Sequence, residues 1–371
     1  MNPHDLVRPP LRGLPKTVHG GQGWRLKGIE DYSHNLNPFG PPDISEVLQE
    51  ASEGIGHYPD DGCKALKETI AKSFGVGTEN VIVGSGSSDI IRMFPNTFLG
   101  SGDRAVISRP SFAEYSHQCR IVGAEIIDNL LLESDEFRID YDSLKKLVDK
   151  GAKAVYICNP NNPTGRIEPR DRILSFVEHC AKKNALVFLD ETLLELVPDY
   201  DRISCVRYVN EYPNLIVAGS LTKSFAIPGI RIGFGFSNED IIQEMDKVRM
   251  TWNVGQFEQS VAEYLIRERM DYVHEAARTM HDEAEWMYGR LKDIGFPVVS
   301  TDSYFFFNSV APLGIDAKTF VERMQDNGIL VRDCSSFGGP FTKYVRFCVK
   351  DRPRNERFID AVNETLRSLR W

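Results

Sequence analysis

The run Ala154-Val-Tyr-Ile-Cys158, followed at once by Asn159-Pro-Asn-Asn162-Pro-Thr-Gly165, decides the fold class. Its first half lacks polar alternation, the pattern of a strand covered on both faces. Its second half is a stiff turn rich in Pro and Asn, which stops the strand abruptly. Working outward, Val81–Val83, Ala105–Ser108, Leu186–Leu189 and Leu215–Ala218 repeat the short apolar run. Amphipathic segments separate them; in Asp171–Lys183, for example, Ile173, Leu174, Val177 and Cys180 share one side. This alternation predicts an α/β protein whose large domain has a mainly parallel sheet sandwiched by helices. Pro95 falls inside the helical pattern after Ser88 and predicts a kink or a late start there.

Beyond a long helical stretch at Gln256–Leu291 the pattern changes. Tyr304–Val310, Ile329–Cys334 and Tyr344–Val349 read as strands, and Ala317–Asn327 and Asn355–Leu369 as helices. These predict a smaller α+β domain. Residues 1–44 are broken by Pro9, Pro10, Pro15, Pro38, Pro41 and Pro42 and read as an arm that joins the small domain. The expected division is 1–44 for the arm and part of the small domain, 45–255 for the large domain, and 256–371 for the connecting helix and small C-terminal domain.

With 44 Lys plus Arg against 53 Asp plus Glu, the formal charge of −9 argues against a nucleic-acid partner. No apolar run approaches the roughly 20 residues that span a bilayer, and residues 1–16 carry no apolar core of a secretory signal. Seven Cys without a CxxC pair predict reduced thiols in a cytoplasmic protein. Eight His without HExxH or paired-ligand spacing give no metal site.

In open α/β sheets ligands sit beyond the carboxyl ends of the strands, and four segments fall there. Val83-Gly-Ser-Gly86-Ser87-Ser88-Asp89 is a strand, a glycine turn and a helix start, suited to a phosphate or simply to a turn. It is not a dinucleotide fingerprint, because no third glycine follows Gly86 at the GxGxxG spacing. Asn162 in the Asn159–Gly165 loop can present an amide to a ligand, or the loop is only rigid. Asp190, ending an apolar strand, needs a cationic or N–H partner or caps a helix. In Ser220-Leu-Thr-Lys223-Ser-Phe-Ala-Ile-Pro-Gly-Ile-Arg231, Lys223 stands among small and apolar residues, as an amine with a lowered pKa would.

In this order, the four segments resemble the pyridoxal-phosphate enzymes of the aspartate-aminotransferase fold (fold-type I) over essentially the whole chain. The resemblance implies pyridoxal 5'-phosphate as cofactor, held covalently by Lys223, with Asp190 paired to its pyridinium nitrogen. Asn162 would bind the ring hydroxyl oxygen, and Tyr115 would stack on the ring. Gly86, Ser87, Ser88, Ser220 and Arg231 would hold the phosphate. Tyr58 matches a tyrosine that reaches the phosphate from a second subunit, implying a homodimer with shared sites. Arg346 matches the arginine that grips the substrate carboxylate; a strand Arg in a surface ion pair is the plainer reading.

Two subfamilies fit: histidinol-phosphate aminotransferase and L-threonine-O-3-phosphate decarboxylase, the latter serving cobalamin biosynthesis. Both take a phosphorylated amino compound, with Arg332 matching a substrate-phosphate ligand and His19, Gly20 and Asn37 as further candidates. His19-Gly20-Gly21, Phe112-Ala-Glu-Tyr115 and Ser220–Gly229 are more similar to the decarboxylases. Leu193 stands where the transaminase pattern has a Tyr whose hydroxyl assists at the ring oxygen, and leucine cannot donate that bond. Decarboxylation is therefore the expected reaction, transamination the alternative, and a noncatalytic cofactor-binding module the reading from another class.

Overall fold

The computed structural model describes residues 1–17, 23 and 26–369. Seven strands form the large sheet: β1 Val81–Gly84, β2 Arg104–Arg109, β3 Glu125–Leu130, β4 Ala154–Cys158, β5 Leu186–Asp190, β6 Leu215–Gly219 and β7 Gly233–Phe236. Their order across the sheet is β1-β7-β6-β5-β4-β2-β3, with every pairing parallel except the two made by β7. β1, β4 and β6 are buried at every residue, as strands covered on both faces must be.

The single reversed strand matters for the site. Because β7 runs against its neighbours, its amino end lies at the same sheet edge as the carboxyl ends of β1, β4, β5 and β6. Arg231, two residues before β7, is thereby delivered to the edge where Gly86, Asn162, Asp190 and Lys223 emerge.

A second, antiparallel sheet contains β8 Phe305–Ser309, β9 Arg332–Asp333 and β10 Tyr344–Cys348, with β10 in the middle. The single strand expected over Ile329–Cys334 is two. Ile329–Leu330 pairs in parallel with Glu30–Asp31 of the arm, and after Val331 the chain joins β10 instead. Buried Val331 is the pivot between two different partners. The helix expected over Gln256–Leu291 is also divided, into Gln256–Glu268 and Met270–Asp293, because Arg269 leaves helical geometry at φ −131°, ψ 10°. Pro95 sits inside the helix Ser87–Phe98, which begins directly at the glycine turn. Among the described residues no helix is long and apolar enough to cross a membrane, and no group of His, Cys, Asp and Glu is placed to hold a metal.

Candidate active site

A cavity of about 540 Å³ opens at the carboxyl edge of the large sheet, between it and the strand pair β9–β10. Lys223 lies on the one-turn helix Leu221–Ser224, which Ser220 caps by accepting the Thr222 N–H at 3.2 Å. Burial pushes the Lys223 ammonium down to about 8, and the charges of Arg346 and Arg231 push the same way. Near neutrality a usable fraction of this amine is therefore unprotonated and nucleophilic.

Asp190 is the buried end of β5. Its Oδ2 accepts the Tyr115 hydroxyl at 2.6 Å and its Oδ1 accepts the Thr192 N–H at 3.0 Å. Burial raises its pKa while these two donors restrain the rise. Tyr115 is buried, stacked on Tyr156 with centroids 5.3 Å apart, and committed to the carboxylate. Half-buried Phe112 meets it edge-on at 5.7 Å and also lines the cavity.

The three asparagines of the loop after β4 divide the work. Asn159 exchanges two bonds with the Glu168 backbone, and Asn161 donates to Pro110 O and Thr164 Oγ1, so both hold the loop's shape. Asn162 alone faces the cavity, its Oδ1 accepting from Arg346 Nη1 at 2.6 Å. That bond leaves its Nδ2 donors for a ligand oxygen. Arg346 also donates through Nη2 to Ser33 O, and its buried Nε has no partner. Arg332, directly opposite Arg346 in the β9–β10 register, lines the same cavity.

The glycine turn is built for close approach. Gly86 holds φ +80°, and a Cβ there would lie 2.5 Å from Arg231 Nη2. A Cβ on Gly233 would fall 2.1 Å from Ser87 N, so that glycine lets the turn press against β7. Ser87 and Ser88 open the helix at the cavity wall, next to Arg231, Ser220 and Thr222. Ser220 spends its own hydroxyl hydrogen on Ile232 O at 3.1 Å, so Thr222 is an additional hydroxyl for an anion that sequence reasoning missed.

Other residues fall elsewhere. Asn37 does not line the cavity; its Nδ2 donates to Ser224 O at 2.8 Å and its N–H to Lys223 O at 2.9 Å, so it ties the arm to the lysine segment. Ser33, His34 and Asn35 line the cavity in its stead, and buried Asn35 leaves its Oδ1 without a partner. No periodicity marks these residues, since their place depends on Glu30–Asp31 pairing with Ile329–Leu330. Tyr58 is 77% exposed, outside the cavity of its own chain, and stacks on Trp252 at 4.3 Å. His19 and Gly20 lie outside the described residues.

The residues present fit pyridoxal 5'-phosphate. A phosphate matches the Gly86–Ser88 turn with Arg231, an aldehyde matches a buried amine of lowered pKa, and a ring nitrogen matches a buried carboxylate.

The sequence profile of the family described as Aminotransferase class I and II matches residues 28–362. A histidinol-phosphate aminotransferase of Moorella thermoacetica is 29% identical over 97% of this chain and 91% of its own length. A protein named provisionally as a threonine-phosphate decarboxylase, of Caldanaerobacter subterraneus subsp. tengcongensis, is 31% identical over 88% of each chain. The histidinol-phosphate aminotransferase of Sinorhizobium meliloti, solved with pyridoxal-5'-phosphate, superposes with a TM-score of 0.87 over 98% of both chains at 23% identity, which establishes the shared fold. The chain belongs to the class I and II aminotransferase family, and its cofactor is pyridoxal 5'-phosphate.

Proposed function

We propose that this enzyme decarboxylates L-threonine O-3-phosphate to (R)-1-aminopropan-2-yl phosphate and CO2, a reaction that serves cobalamin biosynthesis. The observation that carries this reading is Leu193, buried on the cavity wall three residues after Asp190, where the transaminase pattern has a hydroxyl. The bound cofactor supplies an electron sink for the pair left at Cα when a bond there breaks. Lys223 would hold the cofactor until the substrate's amine takes its place and passes it a proton, and the freed ammonium would then give a proton to Cα where CO2 has left. Arg346, positioned by Asn162 and Ser33, binds the carboxylate, and Arg332 across the strand pair binds the phosphate. Asp190, held by Tyr115 and Thr192, keeps the ring nitrogen protonated.

A homodimer with shared sites fits the exposed Tyr58–Trp252 stack, with Tyr58 reaching the partner's cofactor phosphate. A cytoplasmic setting fits the seven cysteines, all free and buried. A second reading, transamination of histidinol phosphate, is supported by the names that more of the relatives carry.

One assay separates the two. Holoenzyme given phosphothreonine without a keto acid is expected to release CO2 stoichiometrically. Glutamate formation from histidinol phosphate and 2-oxoglutarate, without CO2 from phosphothreonine, would replace the first reading with the second.

A further inference from the structure

The arm segment Ser33-His34-Asn35 is one wall of the cavity, and its central residue has no assigned role. Its backbone is fixed on both sides. Asp31 Oδ1 accepts from Ser33 N at 2.7 Å and from Ser33 Oγ at 2.6 Å, while Tyr304 Oη donates to Asn35 O at 3.3 Å. Ser33 and Asn35 are both buried, so the half-buried imidazole between them is held against the cavity by rigid neighbours. The anchoring reaches the anion seat directly, because Ser33 O is the acceptor for Arg346 Nη2.

The ring is incompletely satisfied. Nε2 stands 4.0 Å from Asp31 Oδ2, too far for a hydrogen bond, and the buried Nδ1 has no partner. The charged groups facing it are Asp31, Lys350 and Lys223, with Arg346 one residue away through Ser33. Burial, with Lys350 and Lys223, outweighs Asp31 and lowers the imidazole's pKa below its ordinary value. A phosphoryl group entering against Arg332, with the carboxylate on Arg346, opposes that effect, since both add negative charge to a wall that otherwise faces cations.

We propose that His34 is a specificity residue that takes up a proton as the substrate's phosphoryl group enters, becoming a second cationic donor to it with Arg332 while Arg346 holds the carboxylate. This rests on the reading above that the substrate is phosphorylated. The step moves one proton from solvent to the imidazole and breaks no other bond. His34 thus favours doubly charged phosphoryl compounds over plain amino acids, and it couples their binding to pH.

The test uses holoenzyme titrated with inorganic phosphate while the visible cofactor band is followed, between about pH 6 and about pH 9. The titration of phosphate itself is common to all variants, so the ratio of His34→Gln to wild type isolates the imidazole. One charge-assisted hydrogen bond predicts wild-type affinity higher by about tenfold at the acid end, with the ratio falling to about one at the alkaline end. His34→Asn is expected to match His34→Gln, and an unchanged cofactor band shows that the site is intact in each. A ratio that does not vary with pH, or equal affinity at the acid end, overturns the role of His34 while leaving the phosphorylated-substrate reading standing. Failure of wild-type holoenzyme to bind phosphate at any pH overturns both.

Discussion

Arg332 and Arg346 occupy directly opposed positions on adjacent antiparallel strands, both at the wall of the cavity that contains Lys223. Like charges placed opposite each other weaken a strand pair, and anionic groups bound to them offset the penalty. On the proposed reading the small sheet contributes the seat for the substrate's anionic groups, while the large sheet contributes the cofactor site.

Arg346→Lys tests that seat. Lysine keeps the charge but cannot reach Asn162 and Ser33 together through a planar fork. Losing hydrogen bonds worth about 1.5–3 kcal/mol predicts a fall in kcat/KM of about 10- to 100-fold. Steady-state kinetics checks this, with the change concentrated in KM and the cofactor band unaltered.

Lys223→Ala is expected to abolish the visible cofactor band, its fixation by borohydride and turnover. In wild-type protein stripped of cofactor, recapture requires the neutral amine, whose pKa is about 8. The capture rate should therefore rise about tenfold per pH unit below that value and flatten above it. Stopped-flow absorbance measures the profile. A rate that does not change with pH across this window would contradict the desolvated amine.

Gly233→Ala places a methyl group 2.1 Å from Ser87 N, against the backbone of the Gly86–Ser88 turn. Overpacking of this kind costs about 1–3 kcal/mol. Both melting temperature and cofactor affinity should drop. Gly289→Ala, at a helical glycine with open space around its Cβ, is the control expected to change neither.

Glu195 is buried beside the lysine segment, its Oε2 has no partner, and burial raises its pKa from 4.5 to about 7. Between those values the folded chain holds a proton that the unfolded chain releases, so stability falls as pH rises through the window and stays reduced above it. Glu195→Gln should therefore stabilise the protein by up to about 3 kcal/mol near pH 8, and by little near pH 5. Denaturant unfolding at the two pH values checks both sign and size.

How far the sequence could be read depended on the range of the contacts involved. β4 and β6 were legible because burial on both faces leaves an unbroken apolar run. β3 was not, since at the sheet edge it exposes Glu125, Asp128 and Leu130 and loses that signature. β7, Gly-Phe-Gly-Phe, was also missed, because glycines required by its neighbours replace the usual apolar residues. Asn37 and Asn35 are two residues apart in the same irregular arm, and nothing in their spacing says which one faces the cavity.

Local chemistry by itself determined the alternating architecture, the glycine turn after β1, the stiff Asn162 loop, a carboxylate at a strand tip and a lysine among small and apolar residues, and only the family resemblance joined them into one site. Each of these is written within a few adjacent residues, where burial period and turn stereochemistry act directly. Only the tertiary structure showed how Arg231 is delivered to the Gly86–Ser88 turn, and it alone decided that Arg332 faces Arg346 and that His34 lines the cavity. The reversal of β7, the switch of partners at Val331, and the pairing of the arm with Ile329–Leu330 join segments far apart in the chain. Such long-range pairings are selected by the packing of the whole core, so no local pattern encodes them.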